Sequence, residues 1–175
     1  MNVLIIKTDL KWCRWLGKKR SASMGHAETK NSKNMVGGTP WKRHYFGAIG
    51  EKAWSILTGE PVDVKTIGRG DAGTDFSNGT QVKGAYQRKK PNLLIPVDQY
   101  DRKIAKRYIL GWIKQKDFGV VVEILGQISR GKCDRVKRFV KKGDMNMKVD
   151  TWLISNTHLE VLNLVGDLKR MMKGE

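Results

Sequence analysis

Apolar positions in the first sixty residues follow two periods. Residues 2–7, NVLIIK, make a short apolar run that fits a strand. Thr8 or Asp9 then offers an N-cap, and Trp12, Trp15 and Leu16 share one side of a helix running to about Lys19. The helical period returns from His44 to Thr58, with Phe46, Ile49, Ala53 and Leu57 as its core stripe and Gly59 and Pro61 as its stop. Glu51 falls off that stripe, near Gly47, Ala48 and Trp54, and reads as an exposed flank residue beside a place where another element can come close.

Beyond residue 60 the pattern turns strand-like. Val62 to Ile67 alternates, and GTDFSNGTQVKGA (Gly73–Ala85) carries a turn followed by a β-type run. NLLIPV (92–97), KRYILGWI (Lys106–Ile113) and FGVVVEILGQI (Phe118–Ile128) read as further strands, the last two joined by a turn around Lys116 and Asp117. Ser129 to Lys148 is basic and irregular, with a helical turn near Val136 to Val140. TWLIS (151–155) is a short strand. Thr157 and Glu160 make a capping box for a last helix at about 157–172, with Val161, Leu164, Val165 and Leu168 facing inward. Helices therefore flank a central sheet of about five strands, an α/β arrangement, and 175 residues suit a single domain.

The segment Gly73–Ala85 holds the chemistry. Alternation puts Gln81, Lys83 and Ala85 on one face and Val82 on the other. One reading is an edge strand whose lysine discourages pairing. The other is a metal site, with a carboxylate from Asp75, a carbonyl oxygen from Gln81 and a fixed charge from Lys83. Turn length separates them. A two-residue turn at Asn78-Gly79 puts Asp75 and Gln81 on opposite faces. A loop of Ser77-Asn78-Gly79, with Gly79 left-handed, brings Asp75 across from Gln81.

Charge adds a partner. There are 34 Lys and Arg against 17 Asp and Glu, a formal charge of +17, which favours a polyanion, DNA or RNA before an anionic membrane. Lys18 to Arg43 is polar and basic, either a connecting loop or an arm that contacts phosphate. Lys18, Lys19, Arg20, Lys42, Arg43, Arg88, Lys89 and Lys90 are the candidate phosphate contacts. Trp12, Trp15, Trp41 and Trp54 fit either base stacking or the core. Cys13 and Cys133 lack CxxC spacing and the histidines are His26, His44 and His158, which argues against zinc; free thiols suit a reducing cytoplasm. VLII is too short for a signal peptide or membrane helix. Gly68, Gly70 and Gly73 spell GxGxxG, but no helix follows to hold a pyrophosphate, and there is no Walker A sequence.

The order of parts resembles the PD-(D/E)XK nuclease superfamily: a helix with Glu51, a strand, Asp75 in a GTD setting, a hairpin, and a strand with Gln81 and Lys83. The run CRWLGKKR (Cys13–Arg20) and the pattern LLIPV, KRYILGWI, VVVEILGQI look like small phage-encoded members of that group. The resemblance spans about residues 10 to 165 and implies a restriction-endonuclease-like core. It further implies a metal-dependent deoxyribonuclease with catalytic residues Glu51, Asp75, Gln81 and Lys83. Mg²⁺, for which Mn²⁺ can substitute, would be held by Asp75, Gln81, the Val82 carbonyl and Glu51. DNA would be the partner, in the cytoplasm; the oligomeric state stays open, a homodimer supplying the two sites of a double-strand cut and a monomer favouring nicking. Gln81 departs from the family, standing where an acid is usual and lacking its charge. A binding protein that has lost catalysis on the same fold is one alternative. A basic structural RNA-binding protein with these residues dispersed over its surface is the other.

Overall fold

The computed structural model describes residues 1–23, 40–65, 74–102 and 104–162. Strand β1 (Asn2–Ile5) is followed by helices α1 (Lys7–Ser23) and α2 (Pro40–Thr58). Then come β2 (Thr80–Tyr86), β3 (Leu93–Pro96), α3 (Val97–Asp101), β4 (Arg107–Lys116), β5 (Gly119–Ser129), α4 (Arg130–Val136), β6 (Arg138–Val140) and β7 (Thr151–Ile154). The class is α/β, but the strands do not form one central sheet of about five. A mixed four-stranded sheet has the order β1-β5-β4-β2, with β2 parallel to β4 and the other pairs antiparallel. A second, antiparallel sheet has the order β3-β7-β6.

Alternation along β4 explains the layering. Ile109 and Ile113 pack with Cys13, Leu16, Ile49 and Ala53 under the helices. Tyr108 and Leu110 pack with Leu93, Ile95 and Ile154 of the smaller sheet. A strand covered on both faces is apolar at nearly every position, so KRYILGWI does not alternate in polarity. Each fully buried Leu or Ile of these cores contributes roughly 1.5–3 kcal/mol.

Helix α1 buries Cys13, Leu16, Gly17 and Arg20, a stripe at helical spacing. The expected stripe through Trp15 is rotated away: Trp15 is 51% exposed, with the Lys19 ammonium 5.2 Å from its ring centroid. Gly17 sets the rotation, because a Cβ there would lie 2.8 Å from the Tyr45 nitrogen of α2. The basic stretch 18–43 is not a loop at its ends, since residues 18–23 extend α1 and residues 40–43 open α2. Its middle, 24–39, lies outside the described residues.

Other expectations also shift. Residues 62–65 form no strand, while Ile67 and the GRGDAG run lie outside the described residues. The helical turn expected at 136–140 is instead the end of α4 followed by β6. The capping box at Thr157 does not form. Ser155 Oγ accepts from the Thr157 N–H, a short 3-10 turn spans Asn156–His158, and Leu159 is already extended. Glu160 is tied to β5, exchanging N–H···O bonds of 3.0 and 2.8 Å with Gln127. Val161 is 86% exposed rather than inward, and Leu164, Val165 and Leu168 lie outside the described residues. Among the described residues no helix is long and apolar enough to cross a membrane.

Both cysteines are buried free thiols. Burial, helped by the Glu51 carboxylate, pushes Cys13 up to about 12, and burial with nearby Asp134 pushes Cys133 up to about 11. Neither thiol is therefore expected to react with an aromatic disulfide reagent at mildly alkaline pH until guanidinium unfolds the chain. Rapid labelling of the native protein would contradict this packing.

Candidate active site

The turn after Asp75 has the odd length that brings Asp75 to Gln81. Phe76 accepts from the Gly79 N–H at 3.1 Å, and its own N–H donates to the Thr80 carbonyl at 3.3 Å. Gly79 has φ +83° while Asn78 does not have positive φ, so the loop is Ser77-Asn78-Gly79 with a left-handed glycine, not a two-residue type I′ turn. The Asp75 N–H also donates to Thr80 O, at 3.0 Å. Asp75 Oδ2 then accepts the Val82 N–H at 2.6 Å, a short charge-assisted bond in a buried setting.

That bond also orients the strand's edge. Strand β2 pairs only with β4 among the described strands, which leaves its other side as an edge. In an extended strand the N–H and C=O of one residue point the same way. Since the Val82 N–H meets Asp75 rather than β4, the Val82 carbonyl faces the same edge as the Asp75 carboxylate. Val82's side chain meanwhile enters the core under the helices.

Helix α2 lies on β2 backbone to backbone. A Cβ on Gly50 would sit 3.0 Å from Gly84 Cα, and one on Gly84 would sit 2.3 Å from the Phe46 carbonyl oxygen. This contact seats the next residue, Glu51, beside the strand. Helical side chains lean toward the N-terminus, and Glu51 Oε1 lies over Gly47, 3.8 Å from where a Cβ would be. Glu51 is not the exposed flank residue expected from the helical pattern: it is 2% exposed. Arg20 explains how a carboxylate is held there. Its Nη1 donates to Glu51 Oε1 at 2.6 Å and its Nη2 to the Asp63 carbonyl at 3.1 Å.

Glu51, Asp75, Gln81 and Lys83 all line one cleft of about 630 Å³. They are brought together by α2, the Asp75 turn and β2, and are not dispersed over the surface. The Lys83 ammonium donates to Gln99 Oε1 of α3 at 2.8 Å, so the smaller sheet's flank forms the facing wall. Arg20, Arg43, His44 and Arg102 line the same cleft, with Asp98 and Gln99. Of the eight expected phosphate contacts, Arg20 and Arg43 reach it, Arg20 as the buried partner of Glu51. Lys18, Lys19, Lys42, Arg88, Lys89 and Lys90 are exposed outside the lining. His44, Gln99 and Arg102 were not singled out from sequence, and only their folded position marks them. Trp54 is core at 2% exposure, and Trp12 packs against that core.

The residue types are oxygen donors of the kind hard divalent cations take, with the Arg20 guanidinium on one oxygen of Glu51. Glu51, Asp75 and Gln81 are buried to within 4% exposure and present oxygens, with the Val82 carbonyl as a further oxygen. The set holds two carboxylates, and no group of three His, Cys, Asp or Glu that could hold a metal occurs among the described residues. No protein-family model, curated protein or solved structure matches this chain.

Proposed function

We propose that the chain is a metal-dependent nuclease that hydrolyses DNA phosphodiesters at the cleft around Asp75, on a restriction-endonuclease-like core. The observation that carries this reading is the convergence of Glu51, Asp75, Gln81 and Lys83 in one cleft. Residues that were merely incidental would have no reason to be gathered by three separate elements. The basic excess supplies the attraction for a polyanion, and DNA binding should weaken steeply with salt.

Asp75, Gln81, the Val82 carbonyl and Glu51 would hold Mg²⁺ or Mn²⁺. When bound, such an ion neutralises a non-bridging phosphoryl oxygen and lowers the pKa of water at the site. Asp75 is oriented for this by the Val82 N–H. Arg20 positions Glu51. Lys83 places a fixed positive charge where negative charge grows on the phosphoryl group as the bond to the leaving oxygen breaks. Gln99 holds that ammonium at the cleft until substrate oxygens replace it. Arg43 and Arg102 would grip phosphates on either side.

A second reading keeps the groove without catalysis. It is favoured by Gln81, which brings no charge, and by Arg20, whose guanidinium 2.6 Å from Glu51 competes with a cation for that carboxylate. Calorimetric titration with Mn²⁺ separates the two. A nuclease site binds Mn²⁺ in the unaltered protein, loses it in Asp75→Ala, and gains affinity in Gln81→Glu, where a carboxylate replaces a neutral oxygen ligand. Absence of Mn²⁺ binding by the unaltered protein, with binding restored in Gln81→Glu, favours the catalytically silent reading. Binding that ignores Asp75→Ala removes the metal site altogether.

A further inference from the structure

The helix-facing positions of β2 are Val82, Gly84 and Tyr86. Val82 is 3% exposed and belongs to the core. Gly84 meets the α2 backbone. Tyr86, the last residue of the strand, lies beyond the core and is 55% exposed, yet its ring is fixed. It stacks on Phe46 with centroids 4.8 Å apart and planes 9° from parallel. Phe46 is in turn 5.6 Å from Tyr45, and Tyr45 is 5.8 Å from Trp41, so an aromatic row along the start of α2 backs the Tyr86 ring. One face of Tyr86 is thus covered by Phe46. Its large exposure places the rest of the ring in solvent, at the wall of the cleft that holds Lys83 and Arg43.

A ring held flat in this way buries little apolar surface for folding. A cationic groove with a stacking ring beside it is the arrangement that holds single strands: cations follow the phosphates, and the ring takes a base face of any sequence. In a duplex each base face is already covered by its neighbours, so only an unpaired base can reach the ring. Lys83 and Tyr86 stand on opposite faces of β2, three residues or about 10 Å apart along it, and both line the cleft at the strand's free edge, so a strand of DNA that crosses this edge would place the stacked base near the phosphate at Lys83 but not on it.

We propose that Tyr86 stacks on an unpaired base next to the phosphate held at Lys83, so that the cleft prefers single-stranded or frayed DNA over duplex. This rests on the nuclease reading of the cleft. It requires only that DNA bind there, not that it be cut.

The test is fluorescence anisotropy of the full chain with a labelled single strand and with its duplex, in EDTA at low salt, so that no cleavage intervenes. Tyr86→Ala is expected to weaken single-strand binding roughly five- to a hundredfold and to leave duplex binding nearly unchanged, while Tyr86→Phe keeps the unaltered affinity for both. A 2-aminopurine base in the single strand should be quenched by the unaltered protein and by Tyr86→Phe, and not by Tyr86→Ala. Equal losses on both DNA forms, or no loss and no change in quenching with Tyr86→Ala, overturn the stacking role and leave the nuclease reading standing. If the unaltered protein binds neither DNA form, the stacking role falls, and the nuclease reading is decided separately by cleavage in Mg²⁺ or Mn²⁺.

Discussion

Lys83→Ala is expected to lower the rate of phosphodiester cleavage by roughly a hundredfold or more, about 3 kcal/mol of barrier, while the protein stays folded. The reason for the first half is position. Lys83 lines the cleft with Asp75 and Gln81, and alternation directs it away from the core that receives Val82. The reason for the second half is exposure. Lys83 is only half-buried, and its bond to Gln99 lies on the exposed wall of the cleft. Losing one such bond changes stability little. Single-turnover cleavage and a thermal melt, run on the same preparation, check both halves. Near-normal turnover would remove Lys83 from the chemistry, and a collapsed melt would make it a structural residue instead.

Gly84→Ala is expected to act through the fold. The added Cβ would have to occupy a point 2.3 Å from the Phe46 carbonyl oxygen, and that neighbour is helix backbone, not the movable end of a side chain. Helix α2 must lift from β2, at a cost of about 3 kcal/mol, or roughly 6–12 °C in melting temperature for a chain of this size. Cleavage should fall as well, because the same contact seats Glu51 beside the strand. Gly131→Ala in α4 is the matched control: a Cβ there meets nothing within 4 Å. Helix propensity then makes it neutral or stabilising by about 0.5–1 kcal/mol. A Gly84→Ala protein that melts like the control would mean that the backbone contact is not what joins α2 to β2.

What could be read in the sequence was local. The position of the Asp75 turn was legible from Asn78 and Gly79, but its length was open between two and three residues, and it is the fold that makes Gly79 alone left-handed. Strands β4 and β5 were legible because runs rich in β-branched and aromatic residues flank a short turn. The central sheet was misjudged because LLIP, RFV and TWLI are too short to announce their partners, and they pair with one another. Glu51 was misjudged for a related reason. A helical pattern shows which side of α2 is apolar, but the residue that makes burial of Glu51 tolerable is Arg20, 31 positions earlier on another helix. Arg20 itself, set in a run of lysines, looked like one more phosphate contact. The last helix was inferred from Thr157 and Glu160, yet an extended Leu159 and the pairing of Glu160 with β5 take those residues out of a helix. Tertiary hydrogen bonds outweighed a capping preference of about 1 kcal/mol.

The central claim is that the residues around Asp75 form a metal-dependent site for phosphodiester cleavage. Its most direct test is incubation of plasmid and single-stranded DNA with the protein in Mg²⁺ or Mn²⁺, beside EDTA and an Asp75→Ala variant of unchanged melting behaviour. Cleavage that requires both the ion and Asp75 is the expected result. Tight, salt-sensitive DNA binding with no cleavage in either ion, or cleavage that survives Asp75→Ala, would contradict it.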